Sequence, residues 1–189
     1  FSTCWERRRS DRHLDPPERR RSQQVLKGDA GEPPREQLLG TAAFRRIEVA
    51  VGPGVFIPRP ETELVAEAAM RVLAEQPVGQ RIGVDLCAGS GAIAISLGTE
   101  VPGSRVQAVE LSDEAVEWTR RNVATYESLL VERGSRVEVV HHDAATVADP
   151  GAPLARLAGQ VAVVVSNPPY IPAQMIPREP EVRDHEPRL

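Results

Sequence analysis

Between residues 82 and 166 the chain repeats one unit, a short apolar run followed by a stretch with helical spacing. This repetition restricts the possible folds more than any other feature of the sequence. Residues 82–86 read as a strand leading into a helix over 92–98. Residues 106–111 form the next strand, and Ser112-Asp113-Glu114 opens a second helix with a good N-cap. Ala115, Trp118, Thr119, Asn122, Val123 and Tyr126 fall on one side of that helix and predict its packing face. A strand over 137–141, a Pro/Ala-rich loop or short helix, and a strand over 161–166 complete the series. Strands alternating with helices in this way build an α/β fold, a parallel sheet with helices on both faces, which binds ligands beyond the carboxyl ends of its strands.

Upstream of the repeat, residues 46–51 alternate and predict a strand, Gly52-Pro53-Gly54 turns it, and Val55-Phe56-Ile57 predicts a second short strand ended by Pro58. A β-hairpin is therefore expected ahead of the sheet. Residues 61–76 predict a helix, with Leu64, Val65, Ala68, Ala69, Val72 and Leu73 at helical spacing and acids in the first turn. The first 36 residues differ from the rest: they mix charges with Pro/Gly breaks and hold few apolar side chains. Such a segment cannot bury enough surface to offset its ordering entropy, so it is expected to be a disordered or aberrant N-terminal segment. The expected organisation is that segment over 1–36, a linker and hairpin over 37–60, and one ligand-binding domain over 61–189.

Composition narrows the class of ligand. A formal net charge of −4 supplies no overall basic field to hold a nucleic-acid backbone, so no direct nucleic-acid partner is expected. No run of transmembrane length and no signal pattern occurs, so no membrane partner is expected. The two cysteines, Cys4 and Cys87, are far apart and lack metal-ligand spacing. His141 and His142, as strand neighbours, face opposite sides. No metal site is expected, and a reduced, cytoplasmic protein is.

The segment Val84-Asp85-Leu86-Cys87-Ala88-Gly89-Ser90-Gly91-Ala92-Ile93-Ala94 joins the first strand of the repeat to its helix. Glycines let a backbone approach a ligand closely, and a helix N-terminus presents unpaired N–H groups. Gly89-x-Gly91-x-x-Ala94 alone also fits a dinucleotide fingerprint, and Glu110, closing the next strand, suits a ribose-binding carboxylate in either case. Asp85 discriminates. A carboxylate at that strand end repels a pyrophosphate but suits a cationic amino-acid group such as that of S-adenosylmethionine, which carries an ammonium and a sulfonium.

A second site follows the last strand, at Asn167-Pro168-Pro169-Tyr170. Neither proline can donate to a ladder, and a residue before proline is pushed towards extended geometry. The tetrapeptide offers a rigid rim instead: an Asn side-chain oxygen, carbonyls without competing N–H groups, and an aromatic face. Such a rim can accept both hydrogens of a planar amino or amide group while a ring covers it.

Together the two sites resemble class I S-adenosylmethionine methyltransferases that modify an amide or exocyclic amino nitrogen. Gly54-Val55-Phe56-Ile57-Pro58-Arg59-Pro60-Glu61-Thr62-Glu63, with Leu39-Gly40 and residues 44–51 before it, is similar to the bacterial release-factor glutamine methyltransferases. The resemblance covers about residues 37–189. It implies a Rossmann-like sheet, methyl transfer to the glutamine of a Gly-Gly-Gln tripeptide, S-adenosylmethionine as cofactor, and class 1 peptide chain release factors as partners. It further implies that Asp85, Cys87, Ala88, Gly89, Ser90 and Gly91 hold the methionine part and Glu110 the ribose. Asp143 with Ala144 would hold the adenine, and Asn167 would border both cofactor and substrate. Asn167, Pro168 and Tyr170 are then the catalytic set, and Pro169 and Phe56 join them in lining the substrate pocket. Cys87 departs from the glycine usual in the class at that position. The fold also implies three further strands after Tyr170, so the chain is expected to be truncated and poorly stable or inactive in isolation. Two alternatives remain, a methyltransferase acting on an exocyclic amine of DNA or RNA or on a ribosomal protein glutamine, and a nicotinamide-dependent oxidoreductase.

Overall fold

The computed structural model describes Glu36 and residues 39–168. In chain order these form a hairpin of β1 (Thr41–Phe44) and β2 (Ile47–Ala50), helix α1 (Thr62–Ala74), β3 (Ile82–Leu86) and α2 (Ala92–Glu100). Next come β4 (Arg105–Glu110), α3 (Asp113–Thr125), α4 (Glu127–Glu132), β5 (Arg136–His141), a 3-10 turn (Ala155–Leu157) and β6 (Val163–Ser166). Strands β3 to β6 form one parallel sheet in the order β5-β4-β3-β6. The chain thus steps outwards from β3 to β5, then crosses back to add β6 on the other side of β3. That reversal makes the carboxyl ends of β3 and β6 a topological switch point, where open α/β sheets leave a crevice.

Side chains of the sheet alternate between two cores. Val106, Ala108 and Val137 meet Ala66, Ala69, Met70 and Leu73 of α1, Ile93 to Leu97 of α2, Ala115 of α3 and Leu130 of α4 on one side. Val84, Val109, Leu86 and Val140 meet Val147, Leu154, Leu157 and Val161 on the other, so the segment holding the 3-10 turn covers that face. The α/β reading and its strand–helix order hold, although the α-helices described gather on one face instead of both, and Ser112 caps α3 by accepting from the Ala115 amide at 3.4 Å. No helix of the described residues is long and apolar enough to cross a membrane.

Two expectations need correction. The hairpin pairs Thr41 with Ala50 and Phe44 with Ile47, turning at Arg45-Arg46, not at residues 52–54. Val55 and Ile57 are buried as apolar anchors of a loop rather than as a strand. Pro53, Pro58 and Pro60 remove the donors that a second arm would need. Arg45 adopts φ +53° in the tight turn. It is held there by its amide donating to Glu63 Oε1 at 3.0 Å and its guanidinium to both carboxylate oxygens of Glu100 at 2.8 and 3.1 Å.

Helix α1 buries Thr62, Ala66, Ala69, Met70 and Leu73, while Leu64, Val65 and Val72 are exposed. Only Ala69 and Leu73 of the expected face are buried. The helix carries two overlapping apolar stripes of the same period, and the small Ala66 and Ala69 allow the closer approach to the sheet.

Helix α3 fastens the hairpin through side-chain tips spaced four residues apart. Tyr126 Oη accepts from the Glu48 amide at 2.8 Å and donates to the Glu48 carbonyl at 3.0 Å. Asn122 does the same for Ala50, Oδ1 accepting from its amide at 2.8 Å and Nδ2 donating to its carbonyl at 2.9 Å. Trp118 Nε1 donates to the Pro53 carbonyl at 3.0 Å. Four residues of helix rise about 6 Å and two of a strand about 6.8 Å, so the side chains at 122 and 126 match β2 residues 50 and 48 in register. The helix edge thereby stands in for a third strand.

Candidate functional site

The turn that leaves β3 is shaped by backbone conformation. Cys87, Gly89 and Gly91 have φ of +60°, +56° and +81°. A Cβ on Gly91 would lie 2.9 Å from Thr119 Cγ2, so that position excludes any side chain as well as demanding the left-handed conformation. At Gly89 a Cβ would meet nothing within 4 Å, so the turn is open there. Helix α2 starts directly after Gly91, whose carbonyl accepts from the Ile95 amide at 2.9 Å.

Two neighbouring elements, β4 and α3, hold this turn. The Ala88 amide donates to the Val109 carbonyl at 3.0 Å. Thr119 Oγ1 of α3 donates to the Gly89 carbonyl at 2.6 Å, and Asn122 Nδ2 to the Ser90 carbonyl at 2.9 Å. Glu110, buried at the end of β4, accepts from the Gly89 amide through Oε2 at 2.8 Å. Its Oε1 accepts from the Leu111 and Ser112 amides at 2.9 and 3.0 Å. A carboxylate offers about four lone-pair positions, so Glu110 keeps room for one further donor while fixing the turn. Thr119 and Asn122 were legible in the sequence only as packing residues; polar side chains on an otherwise core-facing helix stripe were the available signal.

Asp85 lies beneath the turn, 1 % exposed. Oδ2 accepts from the Ala94 amide at 3.1 Å, while Oδ1 is buried with no hydrogen-bond partner among the described residues. Burial, opposed by the Ala94 bond and aided by the nearby Glu110 charge, pushes its pKa up to about 8. The Cys87 thiol is half-buried, and burial first, then the Glu110 charge, raises its pKa, so it is not an activated nucleophile.

Asp143 follows β5, two strands from β3, and is exposed, with Oδ1 accepting from the Ala145 amide at 2.8 Å; Ala144 beside it is half-buried. The carboxyl ends of β3, β4 and β5 thus carry an acid each, Asp85, Glu110 and Asp143.

The second loop joins the first across the switch point. Leu86 pairs with Ser166, and Ser166 Oγ donates to the Leu86 carbonyl at 2.9 Å. Asn167, directly after β6, is half-buried and its Nδ2 donates to Thr62 Oγ1 at 3.1 Å. Pro168 is exposed. Pro169 and Tyr170 lie outside the described residues. Phe56 is 39 % exposed, with the Arg59 guanidinium 5.7 Å over its ring, on the loop that leads to Thr62. Sequence reading placed Pro-Glu-Thr-Glu in a family motif without a physical task for its parts. Here Thr62 bonds Asn167 and Glu63 bonds the hairpin turn.

Comparison with known proteins gives a consistent answer. A release factor glutamine methyltransferase of Bifidobacterium longum is 46 % identical over 165 residues, covering 87 % of this chain and 55 % of that protein. Its namesake in Streptomyces coelicolor is 48 % identical over 166 residues, covering 87 % and 53 %. The chain therefore spans about half the length of the curated relatives it matches. Among solved structures, an S-adenosylmethionine-dependent methyltransferase from Agrobacterium tumefaciens has a TM-score of 0.50 at 18 % identity, over 76 % of this chain and 45 % of that one, a likeness of fold. Residues 46–177, which include both loops, match the methyltransferase small domain family, and the chain belongs to that family.

Proposed function

We propose that the protein transfers a methyl group from S-adenosylmethionine to the side-chain amide nitrogen of the glutamine in the Gly-Gly-Gln motif of class 1 peptide chain release factors. It would act in the cytoplasm, in translation termination. The observation that carries this reading is the junction of the two loops, where Ser166 bonds the Leu86 carbonyl and sets the glycine turn beside Asn167. The similarity to release factor glutamine methyltransferases supplies the substrate class.

The residues present fit such a cofactor. Asp85 Oδ1 is a buried oxygen lacking a partner among the described residues, and the acids Asp85, Glu110 and Asp143 favour a cation over a pyrophosphate. Cys87 to Gly91 with Asp85 would hold the methionine part, Glu110 the ribose, and Asp143 with Ala144 the adenine. When bound, S-adenosylmethionine supplies an electrophilic methyl group on its sulfonium.

What remains for the protein is alignment and polarisation. A carboxamide nitrogen is a poor nucleophile because its lone pair is delocalised. Asn167 Oδ1 and the Pro168 carbonyl would accept the two N–H bonds of the substrate amide, with Tyr170 and Pro169 closing over it and Phe56 at the rim. These bonds strengthen as the nitrogen becomes positive, which is the condition for lowering the barrier. No side chain is assigned as general base.

The test incubates the protein with labelled S-adenosylmethionine and a release factor, either wild type or with Gln→Ala in Gly-Gly-Gln. Label is expected on the wild-type factor alone; equal labelling of both would remove this substrate.

A further inference from the structure

His141 closes β5, where it stands in register with Glu110 of β4. Its ring reaches over the end of β4 to the following loop. Nε2 lies 2.9 Å from the Leu111 carbonyl and 3.5 Å from Asp113 Oδ1. A carbonyl oxygen has no proton to give, so this bond requires the proton on Nε2, whether the ring is neutral or charged. The same peptide unit is engaged at its other side. The Ser112 amide, which shares one plane with the Leu111 carbonyl, donates to Glu110 Oε1 at 3.0 Å. In a trans peptide the carbonyl and the amide point in opposite directions, and the described residues contain no cis bond. His141 and Glu110 therefore grip a single peptide plane from its two edges. Accepting a bond at the carbonyl also draws electrons from the amide nitrogen and makes its N–H a stronger donor.

We infer that His141 is a positioning residue for Glu110, holding its carboxylate towards the ribose hydroxyls of the cofactor through the Leu111–Ser112 peptide. This rests on the cofactor reading proposed above. Three amides converge on Glu110, from Gly89 on Oε2 and from Leu111 and Ser112 on Oε1. Gly89 belongs to the turn that β4 and α3 hold, and Leu111 is the next residue in the chain. The Ser112 amide is set by the Leu111–Ser112 plane, which lies in the short link between β4 and α3. With His141 bonded, turning that plane breaks the bonds at both of its edges. The carboxylate thus keeps one orientation, and the position left for a further donor keeps one direction.

The experiment compares the full chain as wild type, His141→Phe and His141→Gln. Phenylalanine keeps a planar ring without a donor; glutamine keeps a donor at a reach close to that of Nε2. Calorimetry measures affinity for S-adenosylhomocysteine and for its dideoxy form, which lacks both ribose hydroxyls. Hydrogen exchange of the Ser112 amide is followed without ligand. His141→Phe is expected to weaken S-adenosylhomocysteine about fivefold, and to leave the dideoxy form within about twofold of wild type. Exchange at Ser112 should quicken about tenfold, and His141→Gln should bring both quantities back to within about twofold. If His141→Phe weakens both ligands equally, His141 serves packing at the end of β5 and the inference fails. If only the hydroxylated ligand is weakened while Ser112 exchange is unchanged, His141 touches the ribose itself and the positioning role is overturned. If His141→Gln is as weak as His141→Phe, the ring and not its donor matters, and the inference fails. Wild-type affinity in His141→Phe overturns the inference and leaves the proposed function standing. If the wild type binds neither ligand, the cofactor reading fails and takes this inference with it.

Discussion

Asp85 holds a proton that a carboxyl group in water would have released. Its ordinary pKa is 3.8, and in the folded chain burial raises it to about 8. Between those values the unfolded chain has lost the proton and the folded chain keeps it, so this group makes stability fall as pH rises through that window. The denaturation midpoint in urea should therefore decline from pH 5 to pH 8, and Asp85→Asn should flatten the decline; an unchanged slope would contradict the assignment. The same group gives a signature of binding. A cationic ligand favours the carboxylate, so titration with S-adenosylmethionine near pH 7 should release a proton that Asp85→Asn does not release, read by calorimetry in buffers of different ionisation enthalpy. Cys87 offers a backbone test. At φ +60° a β-branched side chain is crowded, so Cys87→Val should cost about 1–2 kcal/mol in urea denaturation. Cys87→Gly should stay within about 1 kcal/mol of wild type, relief of strain offsetting the greater freedom of the unfolded chain.

At the level of elements, the edge of β2 is the least expected feature. Its outward amides and carbonyls at Glu48 and Ala50 are taken up by Tyr126 and Asn122 rather than by another strand. Asn122→Leu would leave the half-buried Ala50 amide and carbonyl and the buried Ser90 carbonyl without their partner. A loss of about 2–4 kcal/mol is expected, with faster hydrogen exchange at the Ala50 amide. The strands and helices of the repeat were legible because a short apolar run and a 3.6-residue period are local signals. The hairpin was misread because residues 46–57 contain two apolar runs about a glycine turn, and only tertiary pairing shows that Thr41–Phe44 is the true partner of β2. The buried face of α1 was ambiguous for a similar reason, since Leu64, Val65 and Val72 cluster on a helical wheel as Ala66, Ala69 and Leu73 do, and both sets satisfy a 3.6-residue period. Of the site, Asp85, the glycine turn and Asn167 stood out by residue type. Thr62, Thr119 and Asn122 did not, because a hydroxyl or amide inside a helix declares no partner until the fold supplies one.

Across the whole molecule, the order β5-β4-β3-β6 decides where chemistry can occur. Strand β3 is central and flanked by the element that follows it and by the one that returns last, so its carboxyl end is reached by two loops from chain segments 80 residues apart. The acids lie along one side of that junction, at β3, β4 and β5, and the Asn167 corner lies on the other. This ordering has a consequence in time. A chain emerging from the ribosome completes β3, α2 and β4 long before β6, so the cradle for a donor can form while the wall for an acceptor is still unsynthesised. On the function proposed above, a nascent chain halted before residue 160 should then bind the donor yet methylate nothing, read by calorimetry and by transfer of label.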